Sequence, residues 1–337
     1  MRRAFQLTVC CLLACAALAA CQPSASNPSA RKGTEEEASG GSRAARTFTK
    51  PVPPTVCTDE AARQEYTALH WWDAFDFRDT AWLAGADSVL LEQTFADYLG
   101  ALRHTPEAVK QQSVRAMLRK AADGTSPVFR HFMHLTKHYL YEAGSPLRDD
   151  ALYLAAAEYL LTSPAVDTLT RSTLETYAAM LRKNLPGTVA ADFDYTTIGG
   201  TRSRLHRVKA EHTLLFFYDP DCDVCAHDRN RLAASPAVHR QTAAGKLKIL
   251  AVYPDADLES WRRHAPEMPD GWITARDESG RITTGGLYDL RGLPSLYLLD
   301  SRKRVVLKDA SAEQVVNELE RTADEPIKQT ADKPAKP

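Results

Sequence analysis

The sequence predicts an α+β protein of two domains: an all-α helical domain, followed by an α/β domain with a mixed central sheet. Residues 58–183 carry apolar positions at helical spacing, separated by short polar breaks. From Pro186 onward, β-rich apolar runs alternate with helix-compatible stretches. A length of 337 residues also corresponds to about two domains.

The helical domain is predicted over residues 56–184 and is divided by recognisable helix starts and stops. Asp and Ser-Pro typically open a helix, and Gly typically closes one, because of their capping and backbone preferences. About five or six helices are expected. The signals are Thr58-Asp59, Pro106, Asp123-Gly124, Ser126-Pro127 and Gly144-Ser145-Pro146.

The second domain is predicted over residues 185–322. Its apolar runs predict five strands, at 213–218, 248–253, 271–275, 295–299 and 305–307. Helices are predicted at 225–234, 258–265 and 312–321. This order of strands and helices is typical of a mixed sheet with helices packed on it.

The N-terminus has the pattern of a targeting segment. A basic Arg2-Arg3 pair precedes a short apolar run that ends in Leu18-Ala19-Ala20-Cys21. This tetrapeptide resembles a bacterial lipobox, which implies cleavage after residue 20 and lipidation of Cys21. We therefore expect a signal peptide at 1–20, a flexible lipidated tether at 21–55 and a disordered tail at 323–337. Gln22 in place of Asp favours the outer membrane, facing the periplasm.

Charge and cysteine content narrow the choice of function. The formal net charge of −1 argues against a nucleic-acid partner. Once the signal peptide is removed and Cys21 is lipidated, only Cys57, Cys222 and Cys225 remain as thiols. In an exported, oxidising compartment, an adjacent pair of cysteines forms a disulfide unless something reduces it.

Cys222-Asp223-Val224-Cys225 stands between a predicted strand and a predicted helix. A sulfur at a helix N-terminus is favoured as a thiolate, and a second sulfur one turn later can resolve a mixed disulfide. The spacing therefore indicates a redox dithiol with Cys222 as nucleophile and Cys225 as resolving thiol. Metal sites also use this spacing, so the motif alone leaves both interpretations open.

A second motif, Arg291 to Asp300, looks like the cis-proline loop and the strand that follows it in the thioredoxin fold. With the Cys-x-x-Cys motif before it, the chain from Pro186 to Arg321 resembles that family. The resemblance implies that Pro294 is cis and packs against the dithiol, with the Leu293 backbone directed at the sulfurs. It also implies that Leu293, Asp223 and Val224 contact a substrate.

Within the family, the segment from Leu185 to Phe193 resembles the opening segment of periplasmic reductases of the TlpA and ResA type. Asp228 falls where those proteins often carry a Glu near the thiols, which implies proton exchange with Cys225; the alternative is a solvated acid in the first turn of the helix, where the helix dipole favours it. The whole chain resembles bacterial lipoproteins with a helical domain of unknown function before a thioredoxin-like domain. The residues that carry this resemblance are His70–Asp79, Ser145–Arg148 and Asn184–Gly187.

Four positions depart from the thioredoxin pattern. Asp221 replaces a Trp, Asp223-Val224 lacks a Pro, Phe216 replaces a buried acid, and Asn230 replaces a Pro. The aspartates around the motif disfavour a nearby thiolate, although a protonated His227 would offset part of this, so a reducing or neutral couple is predicted.

The leading hypothesis is a membrane-anchored thiol–disulfide oxidoreductase that reduces exported proteins, draws electrons from a membrane thiol protein and needs no cofactor or metal. One alternative is a binding lipoprotein with a static disulfide, and another is a copper carrier that uses both thiolates. Two further candidates lie in the predicted helical domain. His131, His134 and His138 share one helix face and could form a metal site, although a packing or surface role is favoured for them. Trp71, Trp72, Phe75 and Phe77 are expected in the core, with partner binding as the alternative.

Overall fold

The computed structural model describes residues 46–255 and 257–324. The predicted signal peptide, Cys21, the tether up to residue 45 and the tail beyond residue 324 lie outside the described residues. Within the described ranges, no helix is both long enough and apolar enough to cross a membrane.

The helical domain contains six α-helices in its described part, in agreement with the predicted number. Asp59 caps the first helix, because its Oδ1 accepts a hydrogen bond from the Ala62 N–H at 2.7 Å. Gly124 follows α3 where the chain turns, and a Cβ there would lie 2.3 Å from the Phe77 carbonyl oxygen. The helices are α1 (Glu60–His70), α2 (Gly85–Leu102), α3 (Glu107–Ala122), α4 (Ser126–Leu140), α5 (Asp150–Thr162) and α6 (Thr168–Leu181).

The core of the helical domain is built around aromatic side chains. Trp72 lies near its centre, with its ring centroid 5.0 Å from that of Phe132 in an edge-to-face contact. Phe77 contacts Phe132 at the same centroid distance of 5.0 Å. The expectation that the aromatic cluster packs in the core is confirmed, since Trp71, Trp72, Phe75 and Phe77 are all buried.

The residues just before α1 are packed against the helices, so the predicted tether at 21–55 extends too far. Phe48 stacks on Trp71 with ring centroids 6.0 Å apart. Arg46 pairs with Asp87 at 2.8 Å. The polar composition of this stretch gave no sign of its contacts, which are made by one aromatic side chain, Phe48, and two paired cations, Arg46 and Lys50.

The sheet domain contains seven strands in its described part, in the order β2-β1-β5-β4-β3-β6-β7. The central strands β3, β4 and β5 are parallel, and the remaining pairs are antiparallel, so the predicted mixed sheet is confirmed. The two short polar strands at one edge were not predicted. The strands are β1 (Asp194–Thr197), β2 (Arg202–Arg204), β3 (His212–Phe217), β4 (Leu247–Tyr253), β5 (Ile273–Arg276), β6 (Ser295–Leu299) and β7 (Val305–Leu307).

Five α-helices accompany the sheet in the residues that the structure describes. Strand β3 is buried at every position, because both faces of the sheet are covered. Leu214 and Phe216 belong to a cluster on one face that also contains Leu232 of α7, and Leu215 and Phe217 face the other side. This packing fixes the end of β3, from which the chain enters α7. The helices are α7 (Asp223–Ala234), α8 (Pro236–Ala243), α9 (Leu258–His264), α10 (Arg281–Thr284) and α11 (Ala312–Asp324).

Candidate functional site

Cys222 occupies the N-cap position of α7. Its Sγ accepts a hydrogen bond from the Cys225 N–H at 3.1 Å. The helix begins two residues earlier than predicted, so the first sulfur lies directly at the helix start. Exposed N–H groups at that end stabilise negative charge on the sulfur.

The two cysteines differ in their access to solvent. Both are free thiols, Cys222 half-buried and Cys225 only 2% exposed. Cys222 is therefore the more accessible of the two residues, while Cys225 belongs to the apolar cluster beneath α7. This is the arrangement expected of an attacking thiol and a resolving thiol.

The loop before β6 brings Leu293 to the dithiol. The Leu293–Pro294 peptide bond is cis, as predicted. The Cys222 thiol donates a hydrogen bond to the Leu293 carbonyl, with an Sγ–O distance of 3.6 Å. Residues so far apart in sequence meet because β6 pairs with β3 in a register that sets Ser295 opposite Phe217.

Burial is the main influence on the pKa of the Cys225 thiol. The pKa of Cys225 is raised well above that of an ordinary thiol, first by burial and then by its hydrogen bond with Cys222. The backbone of Asp219 acts in the opposite direction and favours the Cys225 thiolate. Cys225 therefore has to give up a proton to a nearby base before it can attack.

Asp228 lies one turn after Cys225 on α7, a spacing that puts both side chains on one face of the helix. It is half-buried. Burial raises the pKa of Asp228, while His227 and Arg231 partly oppose this shift. A carboxylate with a raised pKa is a better proton acceptor at neutral pH than an ordinary Asp.

The residues predicted to contact a substrate lie next to Cys222. Asp223 and Val224 form the first turn of α7, and both are exposed. Val224 is 60% exposed, which is unusual for a valine in a folded domain. It offers an apolar contact beside Cys222, whereas Asp223 adds negative charge to the same surface.

Sequence reasoning missed a histidine beside the dithiol. His264, at the end of α9, approaches Asp221 with an Nε2–Oδ1 distance of 3.6 Å, and its Nδ1 lies 2.7 Å from Glu267 Oε1. The hydrogen bond with His264 and the neighbouring Arg229 lower the pKa of the exposed Glu267. His264 stands far along the chain from the motif, and nothing in the local sequence marks it.

The loop before Pro294 also contacts the helical domain, which the sequence did not indicate. The Arg291 guanidinium donates to both carboxylate oxygens of Asp150, each at 2.9 Å. It also donates to the Tyr141 carbonyl at 2.6 Å. A cavity of about 600 Å³ opens beside this contact, and its lining includes Arg148, Asp150 and Lys308.

The remaining candidates lie in the helical domain. The rings of His131 and His134 are 6.5 Å apart, and those of His134 and His138 are 6.0 Å apart. His138 hydrogen-bonds Glu142 at 2.8 Å. Across the described ranges, no group of three or more His, Cys, Asp or Glu side chains could hold a metal ion. Cys57 lies just before α1, where its carbonyl accepts from Arg63.

Comparison with known proteins gives matches to both domains. A profile for a domain of unknown function, DUF5106, matches residues 20–184. A thioredoxin-like protein from Bacteroides caccae is 31% identical, with a TM-score of 0.78, and the match covers 82% of this chain and 99% of that chain.

Two further structures match a smaller part of the chain. A conserved protein of unknown function from Bacteroides fragilis is 47% identical over 40% of this chain and 98% of its own, with a TM-score of 0.39. A domain described as that of a possible thiol-disulfide isomerase from Cytophaga hutchinsonii is 26% identical over 42% of this chain and 95% of its own, with a TM-score of 0.38. No curated protein shows significant similarity to the chain.

Proposed function

Since the chain belongs to the thioredoxin-like proteins and carries a DUF5106 domain, we propose that it is a thiol–disulfide oxidoreductase, anchored to the cell envelope by a lipid on Cys21, that reduces disulfides in exported proteins. One observation carries the proposal. The half-buried Sγ of Cys222 caps α7 and lies 3.6 Å from the Leu293 carbonyl, so an accessible sulfur and a backbone contact for a substrate chain share one site.

The reaction divides between the two sulfurs. The Cys222 thiolate attacks one sulfur of a client disulfide, forms a mixed disulfide and releases the other client sulfur as a thiolate. Cys225 then loses its proton and attacks the Cys222 sulfur. The second client thiol leaves, and Cys222 and Cys225 are joined as a disulfide. The client gains two electrons, and the protein loses two.

Asp228 is the proposed proton acceptor for Cys225. Its half-buried carboxylate lies one turn along α7, and its raised pKa suits it to take a proton at neutral pH. Leu293 and Pro294 would hold the client main chain beside the sulfurs, with Val224 and Asp223 in contact with its side chains. The oxidised protein would be reduced again by a membrane thiol protein, without a cofactor in this chain.

The direction of the reaction follows from charge. Asp219, Asp221 and Asp223 flank the dithiol, and negative charge disfavours the stable thiolate on which a strong oxidase depends. A potential at or below that of the glutathione couple is expected when the protein is equilibrated with glutathione buffers. A potential close to that of strong oxidases would reverse the proposed direction, although the chemistry at the two sulfurs would stand.

An insulin-reduction assay tests the function itself. The chain should catalyse insulin reduction with a dithiol as electron source, and Cys222→Ser should remove the activity. Activity that survives this substitution would refute the assigned nucleophile. Location is tested separately: replacing residues 1–21 with a cleavable signal peptide that lacks a lipobox should move the protein from the outer-membrane fraction to the soluble periplasm, and continued membrane retention would reject the lipid anchor.

A second candidate is a binding lipoprotein in which Cys222 and Cys225 form a static disulfide. It is favoured by Phe216, which is completely buried where related proteins are expected to carry an acid, and by Asp221, which stands in place of a Trp. This candidate predicts no catalysis of insulin reduction by the wild-type chain, and a disulfide that resists reduction by glutathione.

A further inference from the structure

Both ends of the loop from Asp289 to Ser295 are tied to the helical domain. Before the proline, Arg291 binds both oxygens of Asp150 at 2.9 Å and the Tyr141 carbonyl at 2.6 Å. Its guanidinium carbon lies 3.8 Å from the centroid of the Tyr141 ring. Its Nε donates to Asp289 Oδ1 at 2.9 Å, which joins the start of the loop to the same cation.

The other end of the loop is tied through two residues. The Ser295 hydroxyl donates to Asp309 Oδ1 at 2.9 Å. The second oxygen of Asp309 pairs with Arg148, whose Nε lies 3.3 Å from Asp150 Oδ1. Asp150 therefore links both ends. We call Arg148, Asp150, Asp289, Arg291 and Asp309 the interdomain ion network.

The loop backbone also lies directly on the helical domain. A Cβ added at Gly292 would be 2.8 Å from the Ala143 Cβ, so only a glycine fits without a shift. Gly292 is adjacent to Leu293, whose carbonyl accepts from the Cys222 thiol at 3.6 Å. The connection between α4 and α5 thus supports the loop from behind, while the dithiol lies against Leu293.

The side chains of the interdomain ion network are largely buried, and their contacts are geometrically specific. The side chains of Arg291, Asp150 and Asp289 are 16%, 21% and 5% exposed. Arg291 uses its three guanidinium nitrogens on three partners, Asp150, the Tyr141 carbonyl and Asp289, and a single lysine ammonium cannot reproduce this set of contacts. Burial alone would lower the pKa of Arg291, but Asp150 and Asp289 raise it above its ordinary value. Removing one partner leaves the others buried without compensation.

We propose that Arg291, Asp150 and Arg148 are positioning residues for the redox reaction. Through these residues, the helical domain holds Leu293 and Pro294 next to Cys222. A client main chain can then bind to the loop while the Cys222 sulfur attacks its disulfide. The proposal rests on the proposed function and gives the helical domain a part in it. A small displacement of groups that orient a substrate can slow a reaction by up to about a hundredfold.

Two disulfide substrates separate positioning from general damage. Insulin presents its disulfide on a main chain that the loop can hold, whereas dithiobis-nitrobenzoate is a small aromatic disulfide without one. The full-length chain, in detergent, is assayed with both, as wild type, Arg291→Ala, Arg291→Lys and Asp150→Asn. Lys183→Met is the matched control, because Lys183 bonds the Gly286 carbonyl across the same domain contact but outside the loop.

Arg291→Ala and Asp150→Asn should lower the rate constant for insulin by about tenfold or more and change that for dithiobis-nitrobenzoate less than about twofold. Arg291→Lys should recover part of the insulin rate, since it keeps the charge. Lys183→Met should leave the ratio of the two rates at the wild-type value. Thermal unfolding of each variant shows whether it is folded.

Equal losses with both substrates, or no loss with either, would overturn the positioning role while the oxidoreductase function stood. If Arg291→Ala is unfolded, Asp150→Asn and Arg291→Lys decide the outcome. A wild-type chain that reduces neither substrate would instead reject the proposed function. The two failures are therefore distinguishable within one set of measurements.

Discussion

The helical domain and the sheet domain differ in what their contacts hold together and in what each contributes to the candidate site. The helical domain is held by an aromatic core around Trp72 and Phe132, in which side chains from separate elements pack edge to face. The sheet domain also brings residues together that are far apart in sequence, but there the residues are a thiol, Cys222, and a backbone carbonyl, that of Leu293. One domain contributes the sulfurs, and the other contributes charges that hold the loop facing them.

Because of this difference, substitutions in the two domains should have different effects, on stability in one domain and on activity in the other. In the helical domain, most buried side chains are apolar, so their replacement affects stability first. In the sheet domain, the sulfurs at the start of α7 carry the proposed chemistry, and little packing depends on the exposed part of Cys222. Variants in the two regions should therefore separate activity from stability.

The largest effect is expected at the sulfurs. Cys222→Ser should abolish disulfide reduction with little change in unfolding temperature, because the hydroxyl can still cap α7. Cys225→Ser should instead trap the client as a mixed disulfide on Cys222, visible by mass spectrometry of the intact complex. Trapping by Cys222→Ser, with Cys225 as the attached residue, would mean that the roles of the two cysteines are exchanged.

The next largest effect is expected on folding stability, when a side chain of the aromatic core is replaced. Phe132 is fully buried, and its replacement by Ala should lower the free energy of unfolding by about 3–5 kcal/mol. Phe132→Leu is the control, since it keeps most of the volume and should cost less. Urea unfolding followed by tryptophan fluorescence measures both. A loss below about 1 kcal/mol for Phe132→Ala would contradict the central place given to this ring.

Sequence reasoning succeeded where the signals are local. Strand β6 was predicted with its observed ends, and Asp59 was predicted as a cap and is one. Strands β1 and β2 were missed because they are short and polar, with only one buried residue among seven. Edge strands are stabilised by their neighbours rather than by an apolar pattern of their own.

The contacts around the dithiol show the same limit. The cysteines, the cis proline and the Leu293 backbone were predicted, because their motifs are contiguous. His264 beside Asp221, and Arg291 on Asp150, depend on how separate elements pack, and no spacing in the sequence encodes that. Sequence also suggested that aspartates would control the thiols, whereas burial is the main influence on the Cys225 pKa.

A smaller effect separates two neighbouring acids at the start of α5. Asp149 caps the helix by accepting from the Leu152 N–H at 2.9 Å, whereas Asp150 belongs to the interdomain ion network. Asp149→Ala should cost about 1 kcal/mol of stability and leave the ratio of the insulin and dithiobis-nitrobenzoate rates unchanged. If Asp149→Ala changed the ratio of the two rates, loss of stability alone would be enough to change it. The ratio would then not be evidence for a positioning role of Asp150.

The smallest effect on stability is expected at Asp228. Burial raises its pKa in the folded chain above the ordinary value near ~3.9 that it has when unfolded, so the folded state favours the protonated form. The contribution of Asp228 to the free energy of unfolding is therefore fully present below the pKa of the unfolded chain. It is lost as the pH rises through the pKa of the folded chain. Asp228→Asn should raise the unfolding temperature slightly at neutral pH and give no gain near pH ~3.5.

The same variant has the opposite effect on the reaction. Without a carboxylate to accept its proton, the buried Cys225 should resolve mixed disulfides more slowly at neutral pH, and the deficit should shrink in alkaline solution as hydroxide takes the proton. Glu320→Gln, at an exposed acid on α11 outside the site, is the control and should show neither effect. If Asp228→Asn gains stability but resolves mixed disulfides at the wild-type rate at every pH, the carboxylate has no part in the proton transfer, because burial alone then accounts for its pKa.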